Sequence, residues 1–399
     1  MLLMEQMDLA NQRVLIREDF NVPMKDGKIT HTARIDAALP TIELAIQMGA
    51  KIILLSHLGR PNEGEFDPAL SLKPIAEYLS ACLKKPVTLF QLSEGLPPLQ
   101  SGDVALMENV RFLSGEEANA PALAKQLASL CDIFVMDAFA VAHRAQASTV
   151  GVAEFAKVAC AGPLLRKECE AIEKVLASPQ RPVLAIVGGA KVSTKLNLLN
   201  NLLEKVDVLA LGGGIANTFL AAQGYPVGDS LYEQSFIPEA NEIMSKAHRT
   251  HKQIWLATDV VVAPTLDAKQ GVVKECSEVK PGDKIFDIGP QSEISIANLV
   301  KEVKTILWNG PLGVFEYPPF AQGTKALAIA ISKSDAYSVA GGGDTCAAIE
   351  QFNISDSISY LSTGGGAFLE AIEGKTLPAV AILEKRANTN TEQKHATSN

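Results

Sequence analysis

The sequence lacks the features of a nucleic-acid-binding, membrane-embedded or disulfide-stabilised protein. Its 399 residues carry a formal net charge of −9, so the surface as a whole would repel DNA, RNA and anionic lipid. No window approaches about 18 uninterrupted apolar residues, the length that suggests a transmembrane helix. The six cysteines are scattered, with no Cys-x-x-Cys pair and no histidine nearby at metal-ligand spacing. We therefore interpret them as reduced packing residues.

Further absences concern location and enzyme class. The first residues, MLLMEQMDLANQR, lack a basic region followed by an apolar stretch and a small-residue cleavage site, and we expect a cytoplasmic protein. The G-x-G-x-x-G fingerprint of dinucleotide-binding dehydrogenases does not follow the first predicted strand. The segment GGAKVSTK does not fit the G-x-x-x-x-G-K-[ST] pattern of P-loop NTPases. The sequence therefore disfavours both enzyme classes.

Apolar runs alternate with helical patterns along the chain, which predicts the α/β class. The runs of the first half are RVLIR (13–17), KIILLSH (51–57), DVALMENV (103–110) and DIFVMDAF (132–139). Helical patterns over 33–49 and 122–130 lie between them. Continuous apolar runs suit strands that are covered on both faces. We therefore predict two doubly wound parallel-sheet, Rossmann-like domains joined by a long connector helix.

One amphipathic segment predicts the domain boundary. Over 162–182, apolar residues fall at helical spacing before a Ser-Pro breaker, which is typical of a connector helix. We predict an N-terminal domain over 1–168 and a C-terminal domain over 169–386. The last stretch, 387–399, is polar and non-periodic, and we expect a mobile tail there.

Four times in the second half, an apolar strand leads into glycines and then into a helical pattern. The glycines are Gly188–Gly189, Gly212–Gly214, Gly341–Gly343 and Gly364–Gly366. Glycine lets the backbone approach a ligand closely, and the free N–H groups of a helix N-terminus attract anions. If the four strands share one parallel sheet, their carboxyl ends converge and predict a site for a nucleotide phosphate chain. The alternative is that each glycine only allows its helix to pack closely on the sheet.

A second set of polar residues follows the apolar runs of the first half. They are Arg17, Asp19, Asn21, Arg34, His57, Arg60, Arg111, His143 and Arg144. Because parallel strands deliver their carboxyl ends to one edge of a sheet, we expect these side chains to gather there. Arginine offers a planar fork of donors suited to phosphate and carboxylate, so the set predicts a site for a small polyanion. Taken singly, each arginine is more often a surface residue or half of a salt bridge, and the shared position after successive strands is what favours the site.

Ten segments together resemble phosphoglycerate kinase of the bacterial type. They are RVLIREDFNVP (13–23), SHLGRP (56–61), ENVRF (108–112), DAFAVAHRAQAST (137–149), AGPLL (161–165), VGGAKVSTKL (187–196), GGGIANTFL (212–220), ILWNGPLGVFE (306–316), AGGGDT (340–345) and STGGGAFLE (362–370). The resemblance runs from about the tenth residue to Leu383, in the family's order and spacing. One departure is the Ala140–Val141 pair, where many members have Gly-Thr, and it leaves the shape of that loop open.

The resemblance implies a glycolytic kinase that reversibly transfers the acyl phosphate of 1,3-bisphosphoglycerate to ADP, giving 3-phosphoglycerate and ATP. It also implies Mg²⁺ as cofactor, in-line transfer with domain closure, and a cytoplasmic monomer that binds neither nucleic acid nor membrane. Substrate-binding roles would fall to Asp19, Asn21, Arg34, His57, Arg60, Arg111 and Arg144. Nucleotide-binding roles would fall to Lys195, Gly212, Asn309, Glu316, Gly342, Gly343, Asp344 and Thr345, with Asp344 as the metal ligand. Catalytic roles would fall to Arg34, Lys191, Gly365 and Gly366.

A non-catalytic nucleotide-binding or scaffold protein of the same fold is the alternative from a different functional class. Loss of Arg34, Lys191 or Asp344 would indicate such a protein, and all three residues are present.

Overall fold

A computed structural model of the chain describes residues 1–396, with side chains to Asn388. It divides into two compact units. The first holds Met1–Cys169 together with the segment that begins at Thr376, and the second holds Glu170–Lys375.

The first unit is built on a six-stranded parallel sheet. Its strands and helices are β1 (Arg13–Arg17), β2 (Met24–Lys25), β3 (Lys28–Ile29), α1 (Ala33–Gln47), β4 (Lys51–Leu55), α2 (Lys73–Leu83), β5 (Val87–Phe90), β6 (Val104–Met107), α3 (Pro121–Ser129), β7 (Ile133–Met136), α4 (Val152–Phe155) and β8 (Val158–Ala161). Helix α5 (Pro163–Leu176) begins in the first unit and continues past Cys169 into the second. The sheet order is β5-β6-β4-β1-β7-β8, and β2 and β3 form a separate antiparallel hairpin. In the register, Arg17 lies opposite Leu55 and Met136, so the central strands end together.

The second unit repeats this architecture and adds a small antiparallel sheet. Its elements are β9 (Val183–Val187), α6 (Leu196–Lys205), β10 (Val208–Leu211), α7 (Gly213–Ala222), α8 (Ile237–Arg249), β11 (Gln253–Trp255), β12 (Asp259–Ala263), β13 (Val272–Glu275), β14 (Lys284–Ile288), α9 (Pro290–Glu302), β15 (Thr305–Asn309), α10 (Gln322–Ser332), β16 (Tyr337–Ala340), α11 (Gly343–Gln351), β17 (Tyr360–Leu361) and α12 (Gly366–Ile372). The parallel order is β11-β10-β9-β15-β16-β17, and the antiparallel order is β13-β12-β14.

The predicted α/β class with two parallel sheets is confirmed. The central strands β1 and β9 are almost wholly buried, because helices cover both faces of each sheet. Apolar residues of the strands and surrounding helices form a separate hydrophobic core in each unit. The two cores agree with a chain that folds as two units.

Buried aspartates fix the start of three helices. Asp137 Oδ1 accepts hydrogen bonds from the first free N–H groups of α5, at Leu164 and Leu165, with distances of 2.7 and 3.1 Å. Asp259 does the same for α9, and Asp287 for α10. Beside each carboxylate lies a glycine, and a Cβ on that glycine would come within 2.1–2.3 Å of the carboxylate oxygen. Each helix therefore begins where an aspartate on a strand, or directly after one, supplies its cap.

The C-terminal segment differs from its prediction. A last helix, α13 (Pro378–Ala396), covers the first ten residues of the expected tail, and residues 397–399 lie outside the described part. The segment from Thr376 belongs to the first unit, whereas the predicted C-terminal domain extended to residue 386. The N–H of Ala379 donates to the carbonyl of Ala142, and Arg386 Nη2 donates to the carbonyl of Ala156. Buried Ile382 and Leu383 anchor the helix.

Candidate active site

A cluster of basic side chains lies at the carboxyl edge of the first parallel sheet. Arg17 ends β1, His57 and Arg60 follow β4, Arg111 follows β6, and Arg144 follows β7. These four strands are neighbours in the sheet, in the order β6-β4-β1-β7. Their carboxyl ends therefore bring together residues that are far apart in sequence.

Arg17 and His57 form the buried centre of this cluster. Arg17 Nη2 lies 3.2 Å from His57 Nδ1. Because arginine can only donate, Nδ1 accepts and the ring proton is on Nε2. Burial, together with the charges of Arg17 and neighbouring arginines, holds the pKa of His57 well below its usual range. Neutral His57 therefore presents an Nε2–H donor, and its 3.9 Å approach to Asp19 Oδ1 is not an ion pair.

Ser148 and Glu116 hold the other side of Arg17. Arg17 Nε donates to Ser148 Oγ at 3.1 Å, and the backbone N–H of Ser148 donates to Glu116 Oε2 at 2.9 Å. Glu116 is fully buried and supplies a counter-charge for the arginine. Neither residue was among the predicted site residues. Ser148 lies in a segment that carried the family resemblance, whereas no sequence pattern indicates this role for Glu116.

Arg111 has unused binding capacity. It is buried, and its Nη1 donates to the carbonyl of Gly59, but Nε and Nη2 have no hydrogen-bond partner in the described structure. Burial, reinforced by the charges of Arg144 and Arg17, lowers the pKa of Arg111 to about 10, so the guanidinium is charged at neutral pH. A bound phosphate or carboxylate would satisfy these donors.

Asp19, Asn21 and Arg34 form a more open group at the same edge. Arg34 Nη1 donates to Asp19 Oδ2 at 2.7 Å and to the Asn21 carbonyl at 3.2 Å. Asn21 Oδ1 accepts a hydrogen bond from the N–H of Gly59 at 2.9 Å, which links the loops after β1 and β4. A cavity of about 440 Å³ is lined by Asn21, Arg34 and His31. Sequence analysis did not identify His31.

Arg60 and Arg144 make fewer contacts. Arg60 is exposed, and its side chain forms no hydrogen bond with the described residues. Arg144 is half-buried, with its Nε 3.5 Å from Nε2 of His143. Its charge lowers the pKa of Arg111, which places Arg144 in the same electrostatic cluster. Arg60 is thus the one predicted substrate residue whose side chain the structure ties to no other member.

The second unit contains a cavity of about 670 Å³ at the carboxyl edge of its parallel sheet. Residues from several elements line it, among them Gly189, Gly213, Tyr232, Leu312, Glu316 and Asp344. A mostly apolar wall with a few polar groups is typical of a small-molecule site. The carboxylates of Glu316 and Asp344 are exposed, so both can reach a ligand.

The four glycine turns follow strands of one sheet, but β15 separates them into two pairs. Strands β9 and β10 are adjacent, as are β16 and β17, and β15 lies between β9 and β16. Three turns lead directly into helices α7, α11 and α12. After Gly188–Gly189, helix α6 begins only at Leu196, so the prediction of a helix directly after this pair is wrong. An exposed loop occupies the interval instead.

The glycines of these turns serve two purposes. A Cβ on Gly188 would lie 1.9 Å from the Pro311 carbonyl oxygen, and one on Gly212 would lie 2.6 Å from the same atom. Close packing against the loop after β15 therefore requires both glycines. A Cβ on Gly343 or Gly365 would meet nothing within 4 Å, and Gly365 has a φ of 51° that favours glycine. Gly343 and Gly365 thus leave open space beside the backbone, whereas a Cβ on Gly341 would lie 2.6 Å from Phe368.

Lys195 is the half-buried cation of the second unit's site. Its Nζ donates to Asn309 Oδ1 at 2.7 Å and to the Gly188 carbonyl at 2.8 Å. Its side chain lies against Gly189, which lines the cavity. Burial lowers the pKa of Lys195 to about 8, although two acidic side chains oppose the shift. The ammonium is therefore charged at neutral pH and close to titrating.

The start of α11 is tied to the end of β15. Asn309 Nδ2 donates to the carbonyl that precedes Gly342 at 2.8 Å, and the N–H of Gly310 donates to Thr345 Oγ1 at 2.7 Å. Thr345 is buried, so its hydroxyl serves the backbone rather than the cavity. Gly342 has a φ of 102°, and a Cβ there would lie 2.8 Å from Asn309 Nδ2. These contacts hold Asp344 at the cavity.

Lys191 lies in the exposed loop between β9 and α6. Its ammonium forms no hydrogen bond or ion pair with the part of the chain that the structure describes. Glu233 holds this loop, because its carboxylate accepts hydrogen bonds from the N–H and Oγ of Ser193. Sequence analysis did not identify this contact. Gly365 and Gly366 form the turn into α12.

Comparison with known proteins gives a consistent result. The family model described as phosphoglycerate kinase matches residues 4–375. Phosphoglycerate kinase of Francisella tularensis subsp. novicida is 54% identical over 387 residues, covering 97% of this chain and 99% of its own. Phosphoglycerate kinase of Legionella pneumophila is 56% identical over 385 residues, covering 96% and 97%. The solved structure of phosphoglycerate kinase from Coxiella burnetii has a TM-score of 0.94 at 54% identity, covering 97% and 99%.

These comparisons confirm the resemblance, and they give no support to the alternative of a non-catalytic protein. Among the described helices, none combines the length and apolar character needed to span a membrane.

Proposed function

Because the chain belongs to the phosphoglycerate kinase family and is therefore a glycolytic kinase, we propose how its residues carry out the transfer. The phosphoryl group passes directly and reversibly between the carboxyl group of 3-phosphoglycerate and the terminal phosphate of ADP. One observation carries the proposal: a cluster of basic side chains lies where the strands of the first sheet end, and a cavity lies where those of the second sheet end.

The basic cluster would hold the substrate. The unpaired donors of Arg111 and the Nε2–H of His57 would bind the phosphate remote from the reacting end, with Arg60 and Arg144 adding charge. The more open group would bind the glycerate hydroxyl and carboxyl end. Supporting this assignment, Asp19 and Asn21 offer oxygens, and Arg34 lines a cavity next to them.

The cavity of the second unit would hold the nucleotide. Lys195 lies beside Gly189 of the cavity wall and would meet the phosphates, and buried Asn309, whose Oδ1 accepts from Lys195, would hold it there. Exposed Glu316 would accept hydrogen bonds from the ribose hydroxyls. Of the predicted nucleotide residues, Gly212 and Thr345 are explained by backbone contacts, so they would shape the site rather than bind directly. Gly342 and Gly343 would allow the phosphates to approach the start of α11.

Mg²⁺ is proposed as a partner of the nucleotide rather than as a resident metal. The described residues contain no group of three or more His, Cys, Asp or Glu side chains that could hold a metal ion. Asp344 is one of three exposed carboxylates that line the cavity, together with Glu316 and Asp229. This fits magnesium, which proteins often bind through one or two carboxylates plus substrate phosphates and water. When bound, the ion would neutralise charge on the phosphate oxygens.

Lys191, Arg34 and the amides of Gly365 and Gly366 would stabilise the group in transfer. A transferring phosphoryl group carries charge on three equatorial oxygens, so positioned cations and N–H groups lower the barrier. The attacking atoms are already ionised, and no general base is required. Support comes from the unpartnered ammonium of Lys191 and the open space beside Gly365.

We also propose a cytoplasmic monomer whose two units approach each other when both substrates are bound. The basic cluster and the nucleotide cavity belong to different units, so direct transfer requires their ligands to meet. Small-angle scattering of the free, singly liganded and doubly liganded protein tests this. A radius of gyration that falls only with both substrates is expected, and a constant value, or full compaction with 3-phosphoglycerate alone, contradicts it.

A coupled assay tests the activity itself. Purified protein with ATP, Mg²⁺ and 3-phosphoglycerate should form 1,3-bisphosphoglycerate, detected through a coupling dehydrogenase and NADH. The Lys191→Met variant should lose about 10²-fold or more in kcat, because it removes one preorganised cation. Absence of turnover in the wild-type protein would contradict the proposed reaction.

A further inference from the structure

Glu233 joins two rims of the nucleotide cavity. Gly189 lies on one rim, in the turn after β9, and Leu231 and Tyr232 lie on the other. The Glu233 carboxylate follows the second rim and accepts hydrogen bonds from Ser193, at 2.8 Å from the backbone N–H and 2.6 Å from Oγ. Ser193 and Glu233 are 40 positions apart in sequence, so their contact connects two segments that are distant along the chain.

Helix α7 in turn fixes Glu233. The Glu233 N–H donates to Thr218 Oγ1 at 3.1 Å, and Asn217 Nδ2 donates to the carbonyl of Leu231 at 3.0 Å. Thr218 and Asn217 are both buried, and α7 begins at the cavity wall. Glu233 therefore connects the loop that contains Ser193 to the packed interior of the unit.

The bound loop is the one that carries Lys191. It has no strand and begins no α-helix before Leu196, so its position depends on contacts from outside. Burial raises the pKa of Glu233, but the Ser193 hydrogen bonds and the Lys191 charge outweigh it and lower the pKa overall. The carboxylate is thus ionised at neutral pH, and its bonds to Ser193 are charge-assisted.

We propose that Glu233 is a positioning residue for phosphoryl transfer, because by holding Ser193 it sets the place of the Lys191 ammonium. The inference rests on the role proposed above for Lys191. Electrostatic stabilisation falls with distance, and a cation contributes most when it needs no reorganisation during the reaction. An unanchored Lys191 should therefore lower kcat more than it weakens nucleotide binding.

The test compares Glu233→Ala and Glu233→Gln with Lys191→Met and with the double variant Glu233→Ala/Lys191→Met. Glu242→Gln, at an exposed position of α8, is the matched control. Steady-state kcat, both KM values, the Kd for ADP and the unfolding midpoint are measured for each. Loss of two charge-assisted hydrogen bonds at a half-exposed site should lower kcat of Glu233→Ala about tenfold. Glu233→Gln keeps one acceptor oxygen, so its kcat should lie between those of the wild-type protein and Glu233→Ala.

The double variant distinguishes an effect of Glu233 on the position of Lys191 from an effect on the stability of the protein. If Glu233 acts through Lys191, Glu233→Ala causes no further loss of kcat in the Lys191→Met background. The KM for 3-phosphoglycerate and the control variant should stay unchanged. Three outcomes would overturn the inference and leave the proposed reaction intact. In the first, Glu233→Ala keeps the wild-type kcat, and in the second, its loss multiplies with that of Lys191→Met in the double variant. The third is a loss of kcat that only accompanies a weaker Kd for ADP. If Lys191→Met itself keeps full kcat, the role of Lys191 fails, and this inference fails with it.

Discussion

Affinity for ADP should depend on the protonation of Lys195. With a pKa of about 8, this side chain is about 90% charged at pH 7, half charged at pH 8 and about 10% charged at pH 9. If the charged form binds the ADP phosphates, the apparent Kd is inversely proportional to the charged fraction. The Kd for ADP should therefore rise about tenfold between pH 7 and pH 9. The nucleotide phosphates are fully ionised over most of this range, so they contribute little to the change.

Titration calorimetry without Mg²⁺, at half-unit pH steps from 6.5 to 9.5, measures this dependence directly. Lys195→Arg is the control, because the guanidinium stays charged throughout and its profile should be nearly flat. Protons should also be taken up on binding near pH 8, which calorimetry in buffers of different ionisation enthalpy detects.

A flat wild-type profile would refute the reasoning. So would a profile that Lys195→Arg reproduces, since the titrating group would then lie elsewhere. The lowered pKa of Lys195 also predicts the direction in which stability changes with pH. The folded-state pKa lies below the ordinary value of 10.5, so unliganded protein should gain stability relative to Lys195→Met as the pH rises from about 8 to 10.5.

Three further substitutions test other parts of the molecule. Arg34→Ala should lower kcat about 10²- to 10³-fold with little change in the KM for 3-phosphoglycerate, and steady-state kinetics with near-normal kcat would contradict its assignment. Asp344→Ala should raise the Mg²⁺ concentration needed for half-maximal activity without lowering the unfolding midpoint; a lower midpoint with unchanged metal dependence would identify Asp344 as a mere helix cap. Burial, together with the nearby charge of Asp137, raises the pKa of Glu18 well above its ordinary value. Because the unfolded chain loses this proton more readily, the stability that Glu18 contributes falls as the pH rises above about 4.5. Glu18→Gln should therefore gain in unfolding midpoint over the wild-type protein more at pH 8 than at pH 5, and an equal gain at both would rule out this titration.

The sequence indicated most of the sheet because its central strands are continuous apolar runs. RVLIR matches β1 residue for residue, and the four strands before the glycine turns lie in one sheet. Strands β5 and β8 were not predicted, since both are edge strands of only four residues, and so short an apolar run does not distinguish a strand from a buried helix segment. The antiparallel sheet was also missed, because β13 is mostly exposed and carries polar residues.

For the site, the sequence indicated which residues gather but not how they contact one another. The order of strand ends brings Arg17 and His57 together, and parallel topology accounts for that. Sequence could not show that Glu116 neutralises Arg17 through Ser148, because the contact depends on tertiary packing across 32 residues. Nor could it separate a glycine required by packing, such as Gly188, from one that faces open space, such as Gly343.

The aspartate caps of α5, α9 and α10 have a consequence for how the units fold. Gly162 precedes α5, Gly289 precedes α9 and Ala321 precedes α10, so none of these helices carries a capping side chain at that position. Their first N–H groups bond instead to Asp137, Asp259 and Asp287, which lie 27 to 36 residues earlier on or beside strands. Peptides that contain one of these helices alone should be poorly helical in water, since nucleation is costly and the cap is missing. These three helices should therefore form only once the strands that position the aspartates have paired. Secondary and tertiary structure should then appear together in each unit.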